Sequence, residues 1–87
     1  MPSWSVDYSS RAVRDIDSLP QKVRADIFTA IERLLEEPPQ GDLKELKAQN
    51  GIWRLRVGKW RVVFTREKGE KLILVLRVVR RSDTTYS

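Results

Sequence analysis

The sequence predicts an α+β fold: a mainly antiparallel sheet in the order β-α-α-β-β-β, with a helical hairpin packed on one face. Three features carry this reading. An apolar stripe at three- and four-residue spacing runs through residues 23–35. Three runs rich in Val, Ile, Trp and Phe fill residues 52–79 with only short breaks. A brief polar–apolar alternation opens the chain. At 87 residues the whole chain, 1–87, is read as one domain burying about 60–65% of its unfolded surface.

Each element follows in order. Residues 3–8 alternate around Trp4 and Val6 and read as a strand. Ser9 and Ser10 are helix N-caps for a helix reaching about Ser18, with Val13 and Ile16 facing inward. Pro20 suits the first turn of a second helix, whose stripe is Val23, Ile27, Ile31, Leu34 and Leu35. Pro38 and Pro39 end it, and residues 40–42 turn the chain. Residues 43–49 form a connector without a clear preference. Ile52–Val57, residues 60–66 and residues 71–79 are strands, separated at Gly58-Lys59 and Lys68-Gly69. The run Leu72 to Leu76 is apolar at every position, so it is expected inside the sheet and covered on both faces.

Composition narrows the chemistry. Cysteine and histidine are both absent, which excludes a disulfide framework, a thiolate nucleophile and an imidazole base, and leaves little from which to build a zinc site. No membrane-spanning apolar run or signal-peptide layout is present, so a cytoplasmic location is expected. The net charge of +5 is unevenly spread. Residues 1–43 hold five Lys/Arg against eight Asp/Glu, and residues 44–87 hold twelve against four. Such asymmetry suits a polyanionic partner.

Strand alternation gathers the arginines. Trp53, Leu55 and Val57 share one face with Trp60, Val62 and Phe64 of the next strand, and that face belongs under the helices, so both tryptophans are expected in the core. Arg54, Arg56 and Arg61 then project from the open face. Arg77, Val79 and Arg81 share a side of the last strand if it stays regular, and Lys59 lies on the rim. A solvated outer face explains any single arginine. The set together points to phosphate, because a guanidinium donates two parallel hydrogen bonds.

Trp60-Arg61-Val62-Val63-Phe64, a Leu-rich strand and then Arg80-Arg81-Ser82-Asp83-Thr84-Thr85-Tyr86 resemble the RelE branch of the RelE/ParE toxin superfamily. The Leu19-Pro20 joint, Leu43-Lys44-Glu45-Leu46 and the stretch from Trp53 to Lys59 extend the likeness over nearly the whole chain. The resemblance implies the toxin of a type II toxin–antitoxin pair, cutting messenger RNA in the decoding site of a translating ribosome. The RNA 2′-hydroxyl attacks the adjacent phosphorus, leaving a cyclic phosphate and a 5′-hydroxyl, with no metal or other cofactor. On this resemblance Arg61, Arg81 and Tyr86 are the catalytic residues, and Arg54 and Arg56 line the RNA path. Lys59, Arg77 and Arg80 are further expected RNA contacts. Val79 stands where many relatives have glycine, and Arg80 where they have histidine or lysine.

Roles follow from the groups available. Arg61 and Arg81 would stabilise charge on the phosphate oxygens, Arg81 would hydrogen-bond the leaving 5′-oxygen, and Tyr86 would orient or deprotonate the 2′-hydroxyl or stack on a base. The implied partners are messenger RNA, the ribosome and an inhibitory antitoxin, through which any operator DNA would be contacted; no membrane is involved. Two other readings share the basic sheet: a ParE-like toxin directed at DNA gyrase, and a nucleic-acid-binding module without catalysis.

Overall fold

In the computed structural model, residues 3–46 and 51–81 are described. Five strands and two helices follow one another as β1 (Ser5–Tyr8), α1 (Ser10–Asp17), α2 (Gln21–Arg33), β2 (Asp42–Glu45), β3 (Ile52–Val57), β4 (Trp60–Glu67) and β5 (Leu72–Arg80). The sheet order is β1-β5-β4-β3-β2. β1 runs parallel to β5, and every other pairing is antiparallel. The predicted α+β architecture is therefore present, with one strand more than expected.

That strand is β2, in the stretch read as a connector. Leu43 lies opposite Leu55 and adds an apolar side chain to the core face, while Asp42, Lys44 and Glu45 are exposed. Four residues with one apolar anchor give too little alternation to stand out in sequence.

The helix boundaries follow the expectation at α1 and depart from it at the end of α2. Ser9 caps α1, its Oγ accepting from the Ala12 amide at 3.0 Å. α2 stops at Arg33, short of the end expected at the two prolines, and Leu34 and Leu35 already turn the chain. One expectation fails on α1. Val13 is 46% exposed, and Ala12 and Ile16 face inward instead. The buried set continues to Leu19, so the stripe begins one residue earlier than read. Ile27 and Ile31 on α2, and Leu34 just after it, are fully buried, as the stripe predicts.

The core lies between these helices and one face of the sheet, where Leu55, Val62, Phe64, Ile73, Val75 and Val78 are buried. Trp53 and Trp60 pack against it, half-buried. The Leu72 to Leu76 run lies inside the sheet, with β1 on one side and β4 on the other. Its expected cover on both faces is met on one. Ile73 and Val75 are sealed under the helices, whereas Leu72, Leu74 and Leu76 are only half-buried.

Sequence alternation also breaks in β5. Phe64 pairs with Val75 and Val63 with Arg77, so a β-bulge leaves Leu76 as the extra residue. Before the bulge the odd positions face the core; after it Val78 does. The strand has changed sides by one residue.

Candidate functional site: the open face of the sheet

Strand register sets out the open face in rows. Asp42, Arg56, Arg61 and Val79 stand opposite one another across β2, β3, β4 and β5. The next row is Lys44, Arg54, Val63 and Arg77. Arg56 and Arg61 are therefore direct cross-strand neighbours. Like charges in that position repel, and an anion between them relieves the repulsion.

Arg61 is half-buried, and its Nε is shut off from solvent without a hydrogen-bond partner among the described residues. Arg56 beside it is exposed. Arg81 comes from the end of β5, two residues beyond the partner of Arg61, a diagonal spacing of about 7–8 Å between strands. Its amide donates to Lys59 O at 2.7 Å and its Nη1 to Gly58 O at 2.8 Å. The β3–β4 turn thus grips Arg81 by both backbone and side chain. Gly58 makes that turn possible, because its φ of +58° is strained for any other residue. The bulge matters here. A regular β5 would aim residues 77, 79 and 81 toward the helices; the extra residue returns them to the side of Arg61.

The remaining expected contacts differ in their surroundings. Arg54 shares the open row but is 7% exposed, and its Nη1 donates to Asp42 O at 3.1 Å and Asp42 Oδ1 at 3.3 Å. It fastens β2 to β3. Arg77 is held by Asp15 of α1, with Nε 2.8 Å from Oδ2 and Nη2 3.4 Å from Oδ1. Arg80 stands opposite Trp60 on the helix side of the sheet, its guanidinium 5.8 Å from the ring centre. Lys59 is exposed at the turn, on the rim as expected. Tyr86 lies outside the described residues. The second tyrosine, Tyr8, offers no replacement: burial first, and then the charge of Glu32, push its phenol up.

Sequence reasoning missed both carboxylates that hold these arginines. Burial pushes the Asp15 carboxyl up, but hydrogen bonds from Arg77 and the Val78 amide, with the charges of Arg77 and Arg11, outweigh it and hold the group below the usual carboxylate range. Asp42 was invisible because its strand was. Among the described residues, no group of three or more acidic side chains is placed to hold a metal ion.

A cleft of about 690 Å³ lies at the other end of β4. Trp4, Glu37, Arg66 and Lys71 line it, and they are engaged with one another. Arg66 covers the Trp4 ring at 4.1 Å, the Trp4 indole donates to Glu37, and Lys71 Nζ lies 3.5 Å from the same carboxylate. Its size marks no chemistry, and the open arginine face is the better candidate.

Known proteins share this fold. A toxin named RelE1 from Methanocaldococcus jannaschii is 27% identical over 81 residues, covering 90% of each chain. The archaeal RelE–RelB complex from Pyrococcus horikoshii OT3 contains a chain that superposes with a TM-score of 0.80 at 22% identity, covering 97% of this chain and 100% of that one. The isolated E. coli RelE toxin superposes with a TM-score of 0.76 at 18% identity, covering 88% of this chain and 83% of its own. These structures establish a shared fold. The family described as the ParE toxin of the type II toxin–antitoxin system parDE matches residues 6–85. With the five-stranded sheet and the near-complete match in view, the chain belongs to the ParE/RelE family of type II toxins.

Proposed function

We propose that this toxin is a ribosome-dependent endoribonuclease that cuts messenger RNA and so inhibits translation. One observation carries the reading: Arg56 and Arg61 face each other across neighbouring strands, with Arg81 diagonal to Arg61 and gripped by the turn. A phosphodiester seated there meets three guanidinium groups, of which that of Arg81 is already held by the turn.

The reaction needs no group the chain lacks. The 2′-oxygen bonds to phosphorus as its proton leaves, the bond to the 5′-oxygen breaks, and that oxygen takes up a proton. Products are a cyclic phosphate and a 5′-hydroxyl. Arg61 and Arg81 stabilise the negative charge that builds on the non-bridging oxygens, and Arg56 grips the RNA backbone beside them. Arg81 hydrogen-bonds the departing 5′-oxygen. Tyr86, five residues further along the chain, is assigned to the 2′-hydroxyl. Guanidinium and phenol are weak acid–base catalysts at neutral pH, so most of the acceleration must come from orientation, which the ribosome supplies by holding the message.

The test is cleavage of ribosome-bound message, with product ends mapped. Arg61→Ala and Arg81→Ala should each lose about 100- to 1000-fold in rate. Near-normal rates in both, or equal cutting of naked and ribosome-bound message, would overturn the assignment. The matched family is described by a ParE toxin, which favours one second reading: a gyrase-directed toxin on the same fold. Induced expression separates the two, giving arrested translation with cut message in one case and DNA damage with filamentation in the other.

The same reading assigns a cognate antitoxin. Related toxins have been solved in complex with RelB, and a net charge of +5 favours an acidic segment that folds on the toxin.

A further inference from the structure

β1 covers only part of the edge of β5. Its last residue, Tyr8, stands opposite Val75, one residue before the bulge. Beyond that point no described strand neighbours the edge, and α1 takes over. The Ser9 amide donates to Val75 O at 2.9 Å and Ser9 Oγ donates to Leu76 O at 2.9 Å. The next amide to need an acceptor is that of Val78, and it donates to Asp15 Oδ2 at 2.9 Å. The same carboxylate takes both contacts from Arg77. Its side chain is only 15% exposed. A helix carboxylate thus stands where a strand carbonyl would be, with the strength of a charge-assisted bond.

A bulge gives up ladder bonding and bends its strand, so its side and register must be fixed by something else. Val78 is the first residue after the bulge to face the core, and Arg81 follows three residues later, about 10 Å along the strand. We propose that Asp15 is a positioning residue of the arginine site: its carboxylate locks β5 just past the bulge and fixes how Arg81 meets the Gly58-Lys59 turn. Its catalytic consequence rests on the reading of Arg61 and Arg81 given above; the geometric part does not. Asp15 itself stays on the helix side and touches no substrate. It acts through the backbone of β5.

The experiment uses the full chain and four variants: Asp15→Asn, Asp15→Ala, Arg81→Ala, and Asp15→Ala combined with Arg81→Ala. Steady-state cleavage of ribosome-bound message gives kcat and KM, and amide hydrogen exchange gives local protection. Asp15→Ala should lower kcat about 100-fold with KM unchanged, the signature of a misplaced group rather than of lost binding. Asp15→Asn keeps an acceptor for the Val78 amide and should fall between. The double variant should be no slower than Arg81→Ala alone, since Asp15 acts through Arg81. The Arg81 amide should exchange faster in Asp15→Ala while Leu55 in β3 stays protected, which separates local release from general unfolding.

Unchanged kcat in Asp15→Ala, a double variant slower by the full product of the two losses, or an Arg81 amide as protected as in the parent would each overturn the proposal. If Asp15→Ala does not fold, the same measurements are made on Asp15→Asn, where a lowered kcat and a faster Arg81 amide uphold the proposal and unchanged values overturn it. If the parent chain cuts no RNA, the catalytic reading falls alone. Arg81 exchange then decides the positioning claim: acceleration upholds it, and no change ends it.

Discussion

Arg54 gives a sharp prediction, because its placement on the open face and its contacts point to different roles. Its Nη1 meets both Asp42 O at 3.1 Å and Asp42 Oδ1 at 3.3 Å. The arginine side chain is 8% exposed and the aspartate side chain 60%. Asp42→Ala removes the carboxylate and keeps the carbonyl. Breaking a fully buried pair costs about 3–5 kcal/mol. Here one partner faces water and one acceptor survives, so the loss should be roughly 1–2 kcal/mol, near that of a single hydrogen bond to a charged group. With a urea m-value of about 1 kcal/mol/M, the midpoint should fall by about 1–2 M. Arg54→Met keeps much of the volume and removes the buried charge. In that background Asp42→Ala should then cost almost nothing, because its partner is gone. Urea unfolding of the four members of this cycle measures the coupling. An additive cycle would refute the claim that Arg54 is spent on Asp42 and would return it to the set of RNA contacts.

Arg56, in contrast, is exposed beside Arg61. Arg56→Ala should weaken RNA binding evenly across sequences and reduce the salt slope of log Kd by about one, measured by titration at several salt concentrations; an unchanged slope removes Arg56 from the interface. Stability against pH should carry the mark of Asp15. Burial raises its carboxyl, but Arg77, the Val78 amide and Arg11 depress it further than burial lifts it, so its contribution is present above the unfolded value of about 3.9 and fades as pH falls through the lower folded value. Asp15→Asn should therefore flatten the acid limb of the unfolding curve, and an identical limb in both proteins would contradict this.

How much of this was legible in sequence depends on residue period. The α2 stripe and the strands β3 and β4 alternate cleanly, so Ile27, Ile31, Leu55, Val62 and Phe64 reach the core as read, and Arg56 and Arg61 emerge together on the other side. β5 is different. From Leu72 to Val79 only Arg77 interrupts the apolar run, so nothing marks where the inward set moves from Val75 to Val78. The bulge therefore leaves no trace in composition, although it decides that Arg81 joins Arg61 while Arg80 joins Trp60. β2 escaped for the opposite reason, having Leu43 alone to announce it. With β2 unseen, Asp42 could not be placed against Arg54. Asp15 is one acid among several on a solvent-facing helix, and its value lies in a strand more than sixty residues away. Long-range partners of this kind are set by topology, which local pattern does not encode.

The parallel pairing of β1 with β5 has a consequence for how the chain becomes a toxin. The first strand finds its neighbour only in the last, and Ser9 reaches Leu76 across 67 positions. Closing so long a loop is a slow entropic step, and few of the sheet's local hairpins help it along. Of the five described strands β5 is the last in chain order, and Arg81 follows it directly. A partly synthesised toxin therefore has β1 without a partner and the site without its final arginine. One strand does two things: β5 covers the edge of β1 and brings Arg81 to the Gly58-Lys59 turn, so the sheet and the arginine face are completed together.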